Sequence, residues 1–258
     1  MAELKIAVRI DAMNLPMRQS LEMAARMGAS AVELNAKNGI NPSSLSDTGL
    51  RSFRKMLDDL NLRVAALRFP TRHGYDHVPD LDRRVDATKQ MMLLAYRLGS
   101  PVVVNSLGRV PESTDDARYE TLKAVVDDLG RYGAKVGTFF AAETGTESGE
   151  QLMTLLESSE DGYVAVALNP GQLIINQFEL SSSVAAVSSR VQLVLAIDGV
   201  LDLSAGRGIS VPLGQGIAEL PELLGVLEEH QYRGHFVVGR AESNLEELNQ
   251  GIQYLRQL

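Results

Sequence analysis

Residues 94–105 read LAYRLGSPVVVN and contain the unit on which the fold prediction rests. The first half has the spacing of a helix and reaches Gly99, a residue that can end a helix in the left-handed conformation. The second half is a continuous apolar run that ends at Asn105, as in a strand that is buried on both faces. A helix that leads directly into such a strand is typical of a parallel sheet covered by helices.

The same alternation of helical and strand patterns recurs along the chain. Helical spacing follows a good N-cap at Ser46, where Leu50, Phe53 and Leu57 form one apolar face. Eight short apolar segments are predicted as strands: Lys5–Ile10, Ala31–Leu34, Arg63–Leu67, Pro101–Asn105, Val136–Ala142, Val164–Leu168, Gln192–Ile197 and His235–Val238.

The number of strands and the chain length predict a closed barrel. The chain has 258 residues, close to the ~250 residues of one eight-stranded β/α barrel. An open flavodoxin-like sheet is the alternative, but such a sheet normally has about five strands. We therefore predict an α/β fold, a (β/α)8 TIM barrel, that forms one domain over residues 1–258.

Composition narrows the classes of function. Hydrophobic residues make up 45% and charged residues 22% of the chain, as in ordinary globular domains. No apolar run approaches the ~18 residues of a membrane span, and the N-terminal residues lead directly into a strand pattern, so we expect a cytoplasmic protein without a membrane partner. Cysteine is absent, which excludes thiolate chemistry, and a net charge of −8 argues against a nucleic-acid partner.

Polar residues near the predicted strand ends are the candidates for function, because the chemistry of a parallel barrel takes place in the loops that follow its strands. Glu143 is the foremost of them, since a carboxylate that ends a buried strand is costly unless it is paired or functional. The full set is Asp11, Asn14, Glu33, Asn35, Arg68, His73, Asn105, Arg109, Glu143, Asn169, Gln172, Asp198, Arg240 and Glu242.

Several segments, taken in order, resemble the xylose-isomerase-like barrel family. This family includes sugar isomerases, ketose 3-epimerases, hydroxypyruvate isomerase and endonuclease IV. The segments that carry the resemblance are Ala31-Val32-Glu33-Leu34, Leu94-Ala95-Tyr96-Arg97-Leu98-Gly99-Ser100, Ala142-Glu143, Pro212-Leu213-Gly214-Gln215-Gly216 and Tyr232-Arg233-Gly234.

The resemblance implies a divalent-metal site whose ligand positions are mostly replaced in this chain. The glutamate that ends strand five of the family matches Glu143. The aspartate that ends strand six and the histidine three residues later match Asn169 and Gln172, the histidine of strand seven matches Leu195, and the glutamate that ends strand eight matches Gly239.

We therefore expect no metal and no other cofactor. If a divalent ion binds, its candidate ligands are Glu143, Asn169 and Asp198, because oxygen donors suit such ions. An alignment shifted by three residues would bring Glu242 to the position of Gly239.

The resulting functional prediction is a sugar or sugar-phosphate isomerase or epimerase with a degenerate metal site. Glu143 is the candidate catalytic base, and arginines replace the ion. The ligand is expected to be small and carbohydrate-like, and anionic if the arginines bind phosphate or carboxylate. The candidate substrate-binding residues are Glu33, Arg68, His73, Asn105, Arg109, Asn169, Gln172, Asp198 and Arg240.

Two other functions compete with this prediction. The chain could bind a sugar-like ligand without turnover, or serve as a subunit of an assembly, because ligand positions are replaced at four separate places. A DNA-repair enzyme of the endonuclease IV type would need a histidine-rich metal cluster and a basic groove, which four histidines and a charge of −8 disfavour. By family analogy, homo-oligomers are also expected.

Overall fold

The computed structural model describes residues 3–37, 46–159 and 162–258, and its parallel strands close into a barrel. Pairing of the first and last barrel strands, with Lys5 opposite His235, completes the ring. The barrel strands are β1 (Lys5–Arg9), β2 (Ala31–Asn35), β3 (Arg63–Arg68), β4 (Val102–Asn105), β5 (Phe139–Glu143), β6 (Ala165–Leu168), β7 (Val191–Ala196) and β10 (His235–Val238). The prediction of a (β/α)8 barrel is confirmed, and the open sheet is excluded.

Helices connect the barrel strands and cover their outer face. Ser46 caps its helix by accepting a hydrogen bond from Gly49 N at 3.2 Å, and Gly99 ends the third helix with φ +75°. No helix in the described part of the chain is long and apolar enough to cross a bilayer. The helices are α1 (Met17–Arg26), α2 (Asp47–Asp59), α3 (Leu81–Leu98), α4 (Ala117–Val136), α5 (Gly149–Glu157), α6 (Pro170–Ile175), α7 (Leu180–Val187), α8 (Leu220–Glu229) and α9 (Leu245–Leu255).

Two local features differ from the predicted elements. Val136 was predicted to begin strand five, but it is the last residue of α4, which ends at Gly137 with φ +87°. After β7 the chain forms an antiparallel hairpin of β8 (Asp198–Val200) and β9 (Ile209–Val211). These strands have three residues each, too few for an alternating pattern to reveal them.

The hydrophobic core has two layers. Mainly strand residues fill the barrel interior, and most of them are small. A larger layer packs the outer faces of the strands against the helices and includes Leu21, Leu34 and Phe140. The interior residues include Ala7, Ala31, Ala66, Val104, Ala141, Ala167, Leu195 and Val237.

Candidate functional site

The barrel interior ends in a layer of polar side chains at the carboxyl ends of the strands. Because side chains alternate between the two faces of a strand, a residue two positions after an inward-facing one also points inward. This alternation places five polar residues directly beyond interior alanines, and we call them the mouth layer: Arg9, Glu33, Arg68, Glu143 and Asn169.

Arg68 is at the centre of the mouth layer and joins two carboxylates from different strands. Its Nε donates to Glu33 Oε1 at 3.2 Å and Oε2 at 3.1 Å, and its Nη1 donates to Glu143 Oε2 at 2.8 Å. Burial alone would lower the pKa of Arg68, but the charges of Glu143 and Glu33 raise it above its usual value. The guanidinium therefore remains positively charged.

Glu143 is bound on both oxygens. While Oε2 accepts from Arg68, Oε1 accepts from Asn169 Nδ2 at 2.7 Å. The orientation of the Asn169 amide follows from its other contact, because its Oδ1 accepts from Gln172 N at 3.1 Å at the start of α6. The Glu143 side chain remains 17% exposed, so a ligand at the barrel mouth can contact it.

Arg9 extends the network to the loop after β1. Its Nε donates to Asp11 Oδ1 at 3.0 Å and lies 3.9 Å from Glu33 Oε2. Asn35 Nδ2 donates to Asp11 Oδ2 at 2.8 Å. Burial alone would raise the pKa of Asp11, but Arg9, Asn35 and Arg68 together lower it. A cleft of about 370 Å³ adjoins Asp11 and Asn35 and gives a small molecule access to this side of the network.

Asp198 lies apart from the mouth layer and organises the hairpin. Its side chain is fully buried. Its Oδ1 accepts from Gly199 N and Ala218 N at 2.8 and 2.9 Å, and its Oδ2 accepts from Gly214 N and Gly216 N at 3.1 and 2.9 Å. Because backbone donors occupy both oxygens, this geometry favours a structural role, and a ligand contact by Asp198 stays a prediction.

Asn105 also lies outside the mouth layer. It follows the inward-facing Val104, so its side chain points to the outer face of the barrel. There Nδ2 donates to Thr71 Oγ1 at 2.9 Å and to Tyr75 Oη at 3.1 Å, while Oδ1 accepts from Ser106 N at 2.9 Å. These bonds hold the loop after β3 against β4.

Arg240 forms ion pairs at the rim rather than at the centre. Its Nε and Nη2 donate to the two oxygens of Glu247 on α9 at 2.8 and 3.0 Å, and its Nη1 donates to Glu242 at 3.2 Å. The Glu242 side chain is 66% exposed and pairs with Arg240. The structure therefore gives no support to the shifted alignment that would bring Glu242 into the site.

The other predicted substrate contacts lie around the mouth, two of them in loops and Gln172 in the first turn of α6. His73 is exposed and stacks on His77 with ring centroids 4.3 Å apart, and Arg109 is exposed in the loop after β4. Gln172 packs closely against Gly145, where an added Cβ would lie 2.3 Å from Gln172 Cβ. Their roles in binding stay predictions.

At the positions where the resemblance implies metal ligands, the side chains of the described residues do not offer a divalent ion a set of free oxygen or nitrogen donors. Glu143 is engaged by Arg68 and by the amide nitrogen of Asn169, which offers that carboxylate a donor rather than an oxygen. Leu195 is a buried aliphatic residue. Gly239 has φ +125°, and a Cβ there would lie 3.0 Å from Arg9 Cβ, so no larger residue fits without strain. Among the described residues no group of three or more suitable side chains could hold a metal.

Arg9 and Glu147 are two residues of this end of the barrel that were not among the sequence candidates. Glu147 lies in the loop after β5 and is only 2% exposed. Its Oε2 accepts from Thr146 Oγ1 at 2.6 Å, and it also accepts a backbone hydrogen bond from Val110. Burial raises the pKa of Glu147 to about 7, and the nearby charge of Asp76 contributes to the rise.

The raised pKa predicts that Glu147 makes stability depend on pH. Between its ordinary pKa of 4.5 and about 7 the folded protein retains a proton that the unfolded chain has lost. Stability therefore falls as pH rises through this window. We expect Glu147→Gln to remove this contribution and to raise Tm at pH 8 by about 3–6 °C over the unsubstituted protein. Thermal melts from pH 5 to 8 test this, and parallel Tm curves for the two proteins would contradict it.

Comparisons with known proteins agree on one architecture. A family model described as xylose isomerase-like TIM barrel matches residues 21–258. A xylose isomerase domain protein from Planctomyces limnophilus is similar, with 21% identity and a TM-score of 0.86 over 99% of this chain and 97% of that one. No curated protein matched the chain.

Two further solved structures are similar to this chain. One is a xylose isomerase-like TIM barrel protein from Mycobacterium smegmatis in complex with magnesium, with 17% identity and a TM-score of 0.73 over 99% of this chain and 96% of that one. The other is D-allulose 3-epimerase from Methylomonas sp. in complex with D-allulose, with 15% identity and a TM-score of 0.75 over 99% and 97% of the two chains. At these identities the likeness shows the fold alone.

Proposed function

The chain belongs to the xylose isomerase-like TIM barrel family, and from that premise we propose that it isomerises a small sugar, a sugar phosphate or a similar α-hydroxycarbonyl compound. Glu143 is the base of this reaction, and Arg68 stabilises the negative charge that develops on the substrate. The observation that carries the proposal is the position of Glu143, partly exposed at the barrel mouth and 2.8 Å from the Arg68 guanidinium.

The chemistry of such a reaction matches these two side chains. A base removes the proton from the carbon that carries the hydroxyl group, and the electron pair forms an enediolate whose charge collects on the former carbonyl oxygen. That charge must be stabilised by preorganised donors or a cation. Arg68 Nη2 has no hydrogen-bond partner among the described residues, so it has donors free for this oxygen. The hydroxyl proton passes to the former carbonyl oxygen, so that the hydroxyl oxygen becomes the new carbonyl oxygen, and Glu143 returns its proton to the neighbouring carbon.

The arrangement favours isomerisation over 3-epimerisation. Epimerisation by proton exchange on both faces of a carbon needs two acid–base groups on opposite sides of the sugar. The position of the second group in the family is Gly239, which has no side chain. Glu33 is 1% exposed and bound by Arg68, and Asp11 has a lowered pKa, which makes it a poor proton donor. A single base is enough to move a proton between adjacent carbons on one face.

The substrate class follows from the arginines and from the relatives. D-allulose is bound to one of the similar barrels, which supports a carbohydrate-like substrate here. Arg9 and Arg68 present guanidinium groups at the mouth, and guanidinium groups bind carboxylate and phosphate well. We therefore place hydroxypyruvate and sugar phosphates beside the neutral ketoses as substrates to test.

A second candidate function, ligand binding without turnover, has one observation in its favour. Both oxygens of Glu143 already accept short hydrogen bonds, at 2.7 and 2.8 Å. The donors of Arg68 and Asn169 therefore compete with a carbon-bound proton for the oxygens of this carboxylate. A barrel with such a site could hold a sugar-like ligand and leave it unchanged.

Proton NMR in deuterium oxide separates the two functions. The purified protein is incubated with ketoses, sugar phosphates and hydroxypyruvate, with and without a metal chelator. We expect one substrate class to give an isomerised product, deuterium at the carbon that exchanges, and the same rate with chelator present. A ligand that raises Tm but gives neither product nor exchange supports the binding function. Turnover that is abolished by the chelator contradicts the proposed use of Arg68.

A further inference from the structure

The barrel mouth is rich in oxygen donors of the kind that bind hard cations. Three carboxylates are linked there through Arg9 and Arg68 and are accompanied by two amide side chains, although among the described residues they form no group that could hold a metal as they stand. Carboxylate and amide oxygens suit magnesium and manganese ions, and one similar barrel is known in complex with magnesium. The residues in question are Asp11, Glu33, Asn35, Glu143 and Asn169.

In this chain the guanidinium group of Arg68 already lies between two of those carboxylates. Arg68 contacts Glu33 at 3.1 Å on one side and Glu143 at 2.8 Å on the other, so its guanidinium bridges β2 and β5. Its side chain is only 12% exposed, and the interaction is therefore weakly screened by solvent. A divalent ion placed near the same carboxylates would be repelled by this fixed charge.

Two neighbours of this ion pair, Asn169 and Arg9, are not oriented to bind a metal ion. Asn169 donates through Nδ2 to Glu143 while its Oδ1 accepts from Gln172 N, so its oxygen is directed toward the backbone of α6. Arg9 adds a second positive charge, with its Nε 3.9 Å from Glu33 Oε2. The space above Arg9 Cβ is open only because residue 239 is glycine.

We propose that the guanidinium of Arg68 takes the place of a divalent ion beside Glu143, so that the mouth layer carries its own fixed cation and excludes metal. This inference deepens the proposed function and rests on it for the role of the charge in turnover. The exclusion of metal is tested by a binding measurement that needs no turnover. A failure of this inference is therefore distinguishable from a failure of the proposed function.

The test compares manganese binding by the protein and its variants at position 68. Arg68→Met removes the charge and keeps a side chain of similar length, whereas Arg68→Lys keeps a positive charge and is the matched control. Binding is followed by the loss of the electron paramagnetic resonance signal of free Mn²⁺ and by the rise of Tm in about 10 mM MnCl₂, a large excess over a dissociation constant on the order of 10⁻⁴ M.

We expect no binding by the unsubstituted protein or by Arg68→Lys. For Arg68→Met we expect binding and a Tm rise of about 5–10 °C, and the double variant Arg68→Met/Glu143→Gln should lose it. If Arg68→Met folds only with MnCl₂ present, that result also supports the proposal. Folded Arg68→Met that binds no Mn²⁺ overturns it, as does Mn²⁺ binding by the unsubstituted protein that Glu143→Gln abolishes.

Discussion

Replacing Glu143 with glutamine is expected to lower kcat of the proposed isomerisation by about 10²–10⁴-fold. Glutamine has nearly the same shape, so it preserves the packing at the end of β5. It cannot accept a proton from carbon, however, and the reaction loses its base. KM should change much less than kcat, because Arg68 and Arg9 still offer their guanidinium groups to the substrate. The rates are measured by NMR with the substrate class identified for the unsubstituted protein.

Glu247→Gln is the matched control for this experiment. Glu247 is also a carboxylate paired with an arginine at the barrel rim, through Arg240, and its side chain is 14% exposed against 17% for Glu143. Both variants break an arginine–carboxylate pair, but only Glu143 belongs to the mouth layer. Equal loss of activity in the two variants would mean that rim stability, rather than a base at position 143, determines turnover.

Replacing Asp198 with alanine is expected to lower the free energy of unfolding by about 3–5 kcal/mol. The Asp198 carboxylate accepts hydrogen bonds from four backbone N–H groups that come from both ends of the hairpin region. Without the carboxylate these donors have no acceptor, and buried donors without partners are costly. Asparagine at this position keeps the shape but replaces one acceptor with a donor, so we expect Asp198→Asn to recover only part of the loss.

Urea denaturation of Asp198→Ala, Asp198→Asn and a control measures these differences. Asp202→Ala is a suitable control, because Asp202 is an exposed aspartate of the same hairpin segment. Its loss should cost less than about 1 kcal/mol. If Asp198→Ala costs no more than Asp202→Ala, the four hydrogen bonds do not stabilise the fold in the way described.

Much of the mouth layer could be predicted from the sequence, because strand geometry constrains it. Glu33, Arg68, Glu143 and Asn169 were predicted as site residues, and the structure brings all four together. Arg9 was missed because it lay within a predicted strand that ended at Ile10. The alternation of side chains would have identified it, since Ala7 faces the barrel interior and a residue two positions later must do the same.

A position near a strand end predicts the residues of the site less well than the alternation of side chains along the strand. Asn105 and Asp198 were chosen on that basis, but each is one residue out of phase with the inward-facing side chains, and each bonds to loops instead. Glu147 could not be identified in this way at all. Its hydrogen bond from Val110 and its electrostatic interaction with Asp76 involve residues that are distant in sequence, and no local pattern specifies contacts between separate loops.

Positive and negative charges alternate in the mouth layer and its neighbour Asp11. This alternation determines how far the electric field of the site extends. Two guanidinium groups stand against three carboxylates, so the five charges sum to only −1 and largely cancel when viewed from a distance. The field of such paired charges falls off faster with distance than that of a single charge, so the mouth layer itself does little to attract ions from solution. Selection of a ligand by the mouth layer therefore depends on direct contact with its side chains.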